Sequence, residues 1–340
     1  MKNLPKSSTR TSSRPKAPAY LGLLLFVLAA AAVSVCVGST ALDFKEALSS
    51  LSDPQNPQVR ILLYVRLPRT LAALLSGAAL GVAGALIQGV LNNALAGPNI
   101  IGVNGGAGLF TLLAAAFLPG LPQLLPAAAF LGALCASLLI YGIAAKTGAS
   151  RMTIVLAGIA VSNLFSAGID TLQTVFPDVV LGSHTFLLGG LSGVTLGNLA
   201  PAGALIAVGI VLACIFGPAL DLLALGEDSA KSLGLHVPAM RFVLLLTASL
   251  LAGAAVSFAG LLGFVGLLVP HGMRRFFGIG AKALLPACAL SGAGFVAVCD
   301  TLARVIAAPY ELPVGILLAF LGAPFFLVLL LQKKRGRIYD

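Results

Sequence analysis

The chain has 340 residues, 59% of them apolar and 9% charged, and its 21 Lys and Arg outnumber its 11 Asp and Glu to give a net charge of +10. With a mean hydropathy of +1.03, this composition excludes a water-soluble domain and places the chain among polytopic helical membrane proteins. No Gly-Lys dipeptide occurs, so a phosphate-cradling loop ending in Gly-Lys-Ser/Thr is excluded, and the chain cannot itself be a P-loop ATPase.

Apolar runs of about 17–25 residues recur along the chain, each long enough to cross a hydrocarbon core as a helix. In chain order the expected spans cover roughly 20–38, 70–90, 101–118, 124–145, 153–176, 199–217, 241–259, a short 260–270, 283–306 and 313–331. The expected fold class is therefore an all-α polytopic membrane protein with about ten transmembrane helices. It divides into a basic tail 1–19, one transmembrane domain 20–332 with a polar loop 218–240, and a second basic tail 333–340. The run Leu21 to Val37 is long and is followed by further spans, which makes it a retained first helix and not a cleaved leader.

Basic residues set the orientation. Lys2, Lys6, Arg10, Arg14 and Lys16 precede the first span without an acid, and Lys333, Lys334, Arg335 and Arg337 follow the last. Lys and Arg collect in cytoplasmic loops, so both termini are expected inside and the number of crossings should be even. Threading ten spans from the inside places Lys146 with Arg151, Lys231 with Arg241, and Arg274, Arg275 and Lys282 in inner loops, each in accord with the rule.

Small residues mark packing faces. Gly77, Gly81, Ala85 and Gly89 recur every fourth residue on the second span and let another backbone approach closely. Asn92, Asn93 and Pro98, then Gly102, Gly105, Gly106 and Gly108, make an irregular entry to the third span. Gly260, Gly263 and Gly266 before Val269-Pro270-His271 interrupt the eighth. Paired short, glycine-broken segments point to an inverted repeat of spans two to five and seven to ten. The cysteines (Cys36, Cys135, Cys214, Cys288, Cys299) lie scattered in apolar stretches and the histidines are far apart, so neither a metal site nor a disulfide framework is expected. Paired carboxylates and Ser/His/Asp arrangements are also missing from the spans, and no catalytic residue, cofactor or nucleic-acid partner is assigned.

Against this background a few charges stand out. Arg66 and Arg69 precede the second span at its outer end, where basic residues are disfavoured. Asp300 and Arg304 lie one helical turn apart near the outer end of the ninth, placed to pair with each other or to share a partner. Two readings are open for the arginines: anchors in lipid headgroups, or a docking patch for an acidic extracytoplasmic surface. On the inner side, Leu225-Gly226-Glu227-Asp228-Ser229-Ala230-Lys231-Ser232-Leu233-Gly234-Leu235 reads as a short helix with acids in its first turn, a Glu227–Lys231 pair, and Gly234 as its stop. It is either a solvated connector or a lever inserted into a cytoplasmic partner. Asp170, alone near the outer end of span five, is the one other acid within an apolar segment.

These segments resemble the permease subunits of ATP-binding-cassette importers for iron chelates, haem and vitamin B12. The likeness is carried by Arg66-Leu67-Pro68-Arg69 leading into Gly77 to Gln88, by Leu95-Ala96-Gly97-Pro98-Asn99-Ile100-Ile101-Gly102-Val103, and by Leu188-Gly189-Gly190-Leu191-Ser192-Gly193. It continues through Leu225 to Leu235, Gly263 to His271, and Asp300 through Arg304 to Glu311-Leu312-Pro313-Val314-Gly315. The resemblance implies a homodimer in the bacterial cytoplasmic membrane, with two cytoplasmic ATPase subunits below and a substrate-binding protein above. It implies that Arg66, Arg69 and Arg304 face acids of the binding protein, and that Leu225, Gly226, Glu227, Asp228, Ala230, Leu233 and Gly234 form the coupling helix against the ATPase. It also implies a path lined by spans five and ten with an inner gate near Thr147, Gly148 and Ser150. Where the family usually has Arg-Asn-Pro-Leu-Ala-Asp-Pro, this chain has Asn92-Asn93-Ala94-Leu95-Ala96-Gly97-Pro98, losing one basic and one acidic residue. The competing reading is a secondary transporter driven by an ion gradient, with Asp170 or Asp300 as its coupling site.

Overall fold

The computed structural model describes residues 16–40, 43–50, 53, 55–146 and 150–335, and regular structure among them is helical throughout. Ten principal helices follow the ten apolar runs in order. They are α1 (Lys16–Cys36), α2 (Leu67–Leu91), α3 (Val103–Phe117), α4 (Leu125–Lys146), α5 (Arg151–Val175), α6 (Leu196–Ile215), α7 (Val237–Ala259), α8 (Val265–Phe277), α9 (Ala281–Ile306) and α10 (Val314–Arg335). Among the described residues, seven segments, those of α1, α2, α4, α5, α6, α7 and α9, are long and apolar enough to cross a membrane; α3 and the Val314–Val328 part of α10 are shorter apolar helices. The chain is an all-α polytopic membrane protein. The tail residues Lys2, Lys6, Arg10, Arg14 and Arg337 lie outside the described residues.

Three elements differ from the sequence expectation, each for a local reason. The second span does not begin near residue 70 but runs continuously over Pro57–Leu91, with a π-helical turn at Ile61–Arg66. Pro68 lacks the N–H that an α-helix would donate four residues back, and a widened turn just before it absorbs that loss. The third begins as a 3₁₀ turn, Pro98–Ile101, and turns at Gly102 into α3. The eighth is displaced from 260–270 to Val265–Phe277, because Gly260 (φ +68°) and Phe264 (φ +63°) hold left-handed backbone that no helix continues through. A Cβ at residue 260 would also stand 2.3 Å from the carbonyl oxygen of Phe186, so only glycine fits.

The bundle centres on α2 and α7, whose spans are each 78% buried, against 11% for α1. Helix α2 packs on α7, α8 and α9, and the glycine stripe explains how closely. A Cβ added at Gly77 would lie 2.1 Å from the Gly292 carbonyl oxygen, and one at Gly292 would lie 2.2 Å from that of Gly77. The contacts have the exchange symmetry of a repeat. Helix α2 meets α9 as α7 meets α4, α2 meets α8 as α7 meets α3, α3 meets α4 as α8 meets α9, and α3 meets α5 as α8 meets α10. The two broken segments meet each other around a cavity of about 120 Å³ lined by Pro98, Asn99, Ile100, Leu262, Gly263 and Phe264. The Asn104 amide donates to the Leu262 carbonyl at 3.3 Å. The irregular backbone of one segment thus packs against that of the other, with Ile101 and Leu262 buried and Asn99 exposed, which gives it part of the shelter that non-helical chain needs at membrane depth.

Candidate functional site

One end of the bundle gathers Arg66, Arg69, Asp300 and Arg304. The π-helical turn before α2 and its first α-helical turn bring in Arg66 and Arg69, the last turns of α9 bring in Asp300 and Arg304, and the connection to α10 brings in Glu311. Arg69 grips Asp300 bidentately, with Nε 3.1 Å from both carboxylate oxygens and Nη2 3.0 Å from Oδ1, and its Nη1 donates to Glu311. Arg304 approaches the same Asp300 through Nε at 3.1 Å and donates from Nη2 to Ser34 of α1 at 2.8 Å; the Ser34 and Thr70 hydroxyls are themselves bonded at 2.8 Å. Arg66 instead donates to the backbone carbonyls of Val35, Cys36 and Thr40, and so holds the end of α1.

Burial decides what this cluster can do. Arg66, Arg69 and Arg304 are 3%, 5% and 2% exposed and Asp300 is fully buried. Charges taken out of water are tolerated only when paired in good geometry, and bidentate guanidinium–carboxylate contacts meet that condition. Burial pushes the Glu311 carboxyl up, but hydrogen bonds from Ser39 and Arg69 outweigh it and hold the group below its usual range. Three guanidinium groups against two carboxylates leave one positive charge in excess beside a cavity of about 280 Å³, bounded by Ser39, Thr40, Ile61, Arg66, Arg304 and Glu311. The guanidinium groups point into the protein and not toward lipid.

The opposite end carries the second set. The polar loop contains two short helices, Gly217–Ala224 and Glu227–Ser232, separated by Gly226 at φ +107° and followed by Gly234 at φ +84°. Glu227 pairs with Lys231 at 3.2 Å, as its spacing suggests, and also with Arg241 of α7 at 3.2 Å, a guanidinium whose side chain is only 2% exposed. Those two hydrogen bonds hold the Glu227 carboxyl below its usual range. Ala230 is fully buried under the short helix, whereas Leu225 and Leu233 at its two ends are 63% and 60% exposed; Asp228 is also exposed. Ser150 caps α5, its hydroxyl accepting from the Thr153 amide at 3.1 Å, while Thr147 and Gly148 lie outside the described residues.

Arg66, Arg69 and Arg304 are thus brought together, and the Leu225–Gly234 residues form a second unit at the far end. Sequence reasoning missed Glu311 and Ser34 as partners of the arginines, Ser39 as the donor that holds Glu311, and Gln88, which accepts from Arg274 and donates to the Gly266 carbonyl at 3.1 Å. The signal available was imbalance, since unmatched arginines at the outer face required an acid from another segment. Among the described residues no group of three or more His, Cys, Asp and Glu could hold a metal ion.

A polar-ended apolar bundle with broken central helices is the architecture of a membrane permease. Residues 24–332 match the FecCD transport family, and the chain belongs to that family. It is 37% identical over 331 residues to YfmE, an Fe(3+)-citrate import system permease of Bacillus subtilis, covering 97% of this chain and 99% of that one. It is 36% identical to HmuU, a hemin transport system permease of Yersinia pestis (93% and 96% covered), and 38% identical to BtuC, a cobalamin import system permease of Halobacterium salinarum (83% and 76% covered). A solved inward-facing metal-chelate type ABC transporter superposes with a TM-score of 0.79 at 30% identity, covering 93% of this chain and 99% of that one. The chain is a multi-pass membrane permease component of a metal-chelate type ABC importer and not an enzyme; ATPase activity lies in separate subunits.

Proposed function

We propose that this chain, as a homodimer in the bacterial cytoplasmic membrane with both termini inside, translocates an iron-siderophore, haem or cobalamin-type chelate into the cytoplasm. ATP is hydrolysed by two cytoplasmic partner subunits, and an extracytoplasmic binding protein delivers the chelate. The observation that carries the reading is the Glu227–Ser232 helix, fixed to the bundle by Glu227–Arg241 while Leu225 and Leu233 stand in solvent. An anchored element that exposes two leucines is built to seat in an apolar groove of another protein. At the other end, the excess positive charge around Arg66, Arg69 and Arg304 favours an acidic carrier by its field, because the guanidinium groups themselves are already engaged. The family resemblance supports an inner gate at Thr147, Gly148 and Ser150, the residues that precede α5 in the sequence.

An ion-gradient mechanism has less support, since both oxygens of Asp300 are held by arginines. Uptake by proteoliposomes containing the permease, its ATPase and its binding protein tests the proposal. Transport should require ATP and the binding protein. Leu225→Asp with Leu233→Asp should abolish uptake while leaving the isolated ATPase active, and uptake driven by an ion gradient alone would refute the reading.

A further inference from the structure

The bend between α8 and α9 concentrates cations without matching acids. Arg274 and Arg275 lie in the last turn of α8, Gly278 turns the chain at φ +77°, and Lys282 stands in the first turn of α9. Arg275 and Lys282 are exposed, Arg274 donates to the Gln88 amide oxygen, and none of the three forms an ion pair among the described residues. A cation in the first turn of a helix opposes the helix dipole, so Lys282 gains from an anion that its own helix does not supply. Asp221 touches this turn, but its Oδ1 accepts from the Ala281 amide at 2.7 Å and it makes no ion pair with Lys282.

Large apolar side chains flank those charges. Phe276 is 72% exposed and Ile279 77%, an unfavourable surface in water. Their depth is fixed by α1: the Tyr20 hydroxyl donates to the Ala283 carbonyl at 2.7 Å, and its ring lies 4.7 Å from that of Phe277. Tyrosine rings settle at the headgroup level of a bilayer. Directly after Tyr20, Leu21, Leu24, Leu25 and Leu28 are exposed on a helix only 11% buried, so the bend lies on the lipid-facing perimeter.

We propose that this bend binds an anionic phospholipid, its phosphate held by Arg275 and Lys282 and its acyl chains lying along Phe276, Ile279 and the exposed leucines of α1. Positive charge at headgroup depth, continuous with an apolar helix face, matches a lipid better than a cytoplasmic protein. The lipid ties the inner end of α1 to the bundle. In the proposed orientation it comes from the cytoplasmic leaflet, whichever chelate is carried.

The chain contains no tryptophan, so Phe276→Trp places a single fluorophore in the patch. In vesicles of phosphatidylcholine and phosphatidylglycerol, acyl-brominated phosphatidylglycerol should quench it more strongly than brominated phosphatidylcholine at equal mole fraction. That preference should fall about fivefold with Arg275→Gln, again with Lys282→Gln, and with added salt. Arg275→Lys should keep most of it. Equal quenching by the two lipids, or a preference untouched by both Gln substitutions, overturns the site. Displacement by inorganic phosphate at constant ionic strength would mark a free-anion site and overturns it too. If Phe276→Trp does not fold, native mass spectrometry of the permease purified with its ATPase subunits decides the matter. The parent should retain more phosphatidylglycerol than the chain carrying both Gln substitutions, and equal retention refutes the proposal. Loss of the ATPase subunits from that variant with lipid retention intact would assign the surface to a protein partner and refute it as well.

Discussion

Asp300 shows how one residue can hold a membrane protein's end together. Its carboxylate accepts from Arg69 and Arg304, and Arg304 continues to Ser34, so α1, α2 and α9 meet on a single anion. Removing it leaves Arg304 enclosed without a carboxylate and Arg69 with Glu311 alone, and breaking a buried pair costs about 3–5 kcal/mol. Asp300→Ala should therefore lower the thermal unfolding midpoint in detergent sharply, whereas a midpoint within error of the parent would show the cluster to be dispensable. Glu227 behaves differently because it is 41% exposed at the side chain. Its pKa is lowered on folding, so its contribution is present above the ordinary carboxylate value and is lost as pH falls through the folded value. The stability difference between the parent and Glu227→Gln should stay flat from pH 8 to pH 5 and vanish under more acid conditions. For so exposed a pair it should not exceed about 1 kcal/mol.

At the scale of elements, the contact between α2 and α9 is set by the absence of side chains. Gly77→Leu should force the helices apart and abolish the folded permease, since even a single Cβ there overlaps the Gly292 backbone. Retention of a monodisperse, uptake-competent protein would contradict that packing. The spans were legible in the sequence because apolar length suffices to identify a crossing. Their ends were not, because Pro68, Gly102, Gly260 and Phe264 reshape the backbone locally by hydrogen-bond loss and left-handed dihedrals. The pairing of Asp300 with Arg304 followed from their helical spacing. That Arg69 would join them depended on two segments 231 residues apart folding side by side, which no local pattern encodes. Exposure was the hardest property to read: arginines near a membrane surface suggest solvent, yet these ones are interior.

For the whole molecule, the orientation drawn from the basic residues can be tested directly. The cluster of Arg66, Arg69 and Arg304 and the Glu227–Ser232 helix lie at opposite ends, joined by α2, α7 and α9. In a chain whose native cysteines are replaced, a membrane-impermeant maleimide should label Thr40→Cys in intact cells. It should reach Ser229→Cys only after permeabilisation, and the reverse pattern would invert the assigned topology.

The partners of the buried arginines also bear on biogenesis. Helix α1, 11% buried, is greasy enough to wait alone in lipid and already offers Arg66 its carbonyl acceptors, but the next helix also carries Arg69, whose main counterion Asp300 is synthesised more than two hundred residues later. Until the ninth helix arrives, the Arg69 guanidinium must be sheltered by the insertion machinery or remain at the water boundary. A nascent chain truncated before residue 300 should consequently be a substrate for membrane quality-control proteases, and the last third of the polypeptide acts as the checkpoint for its own first third.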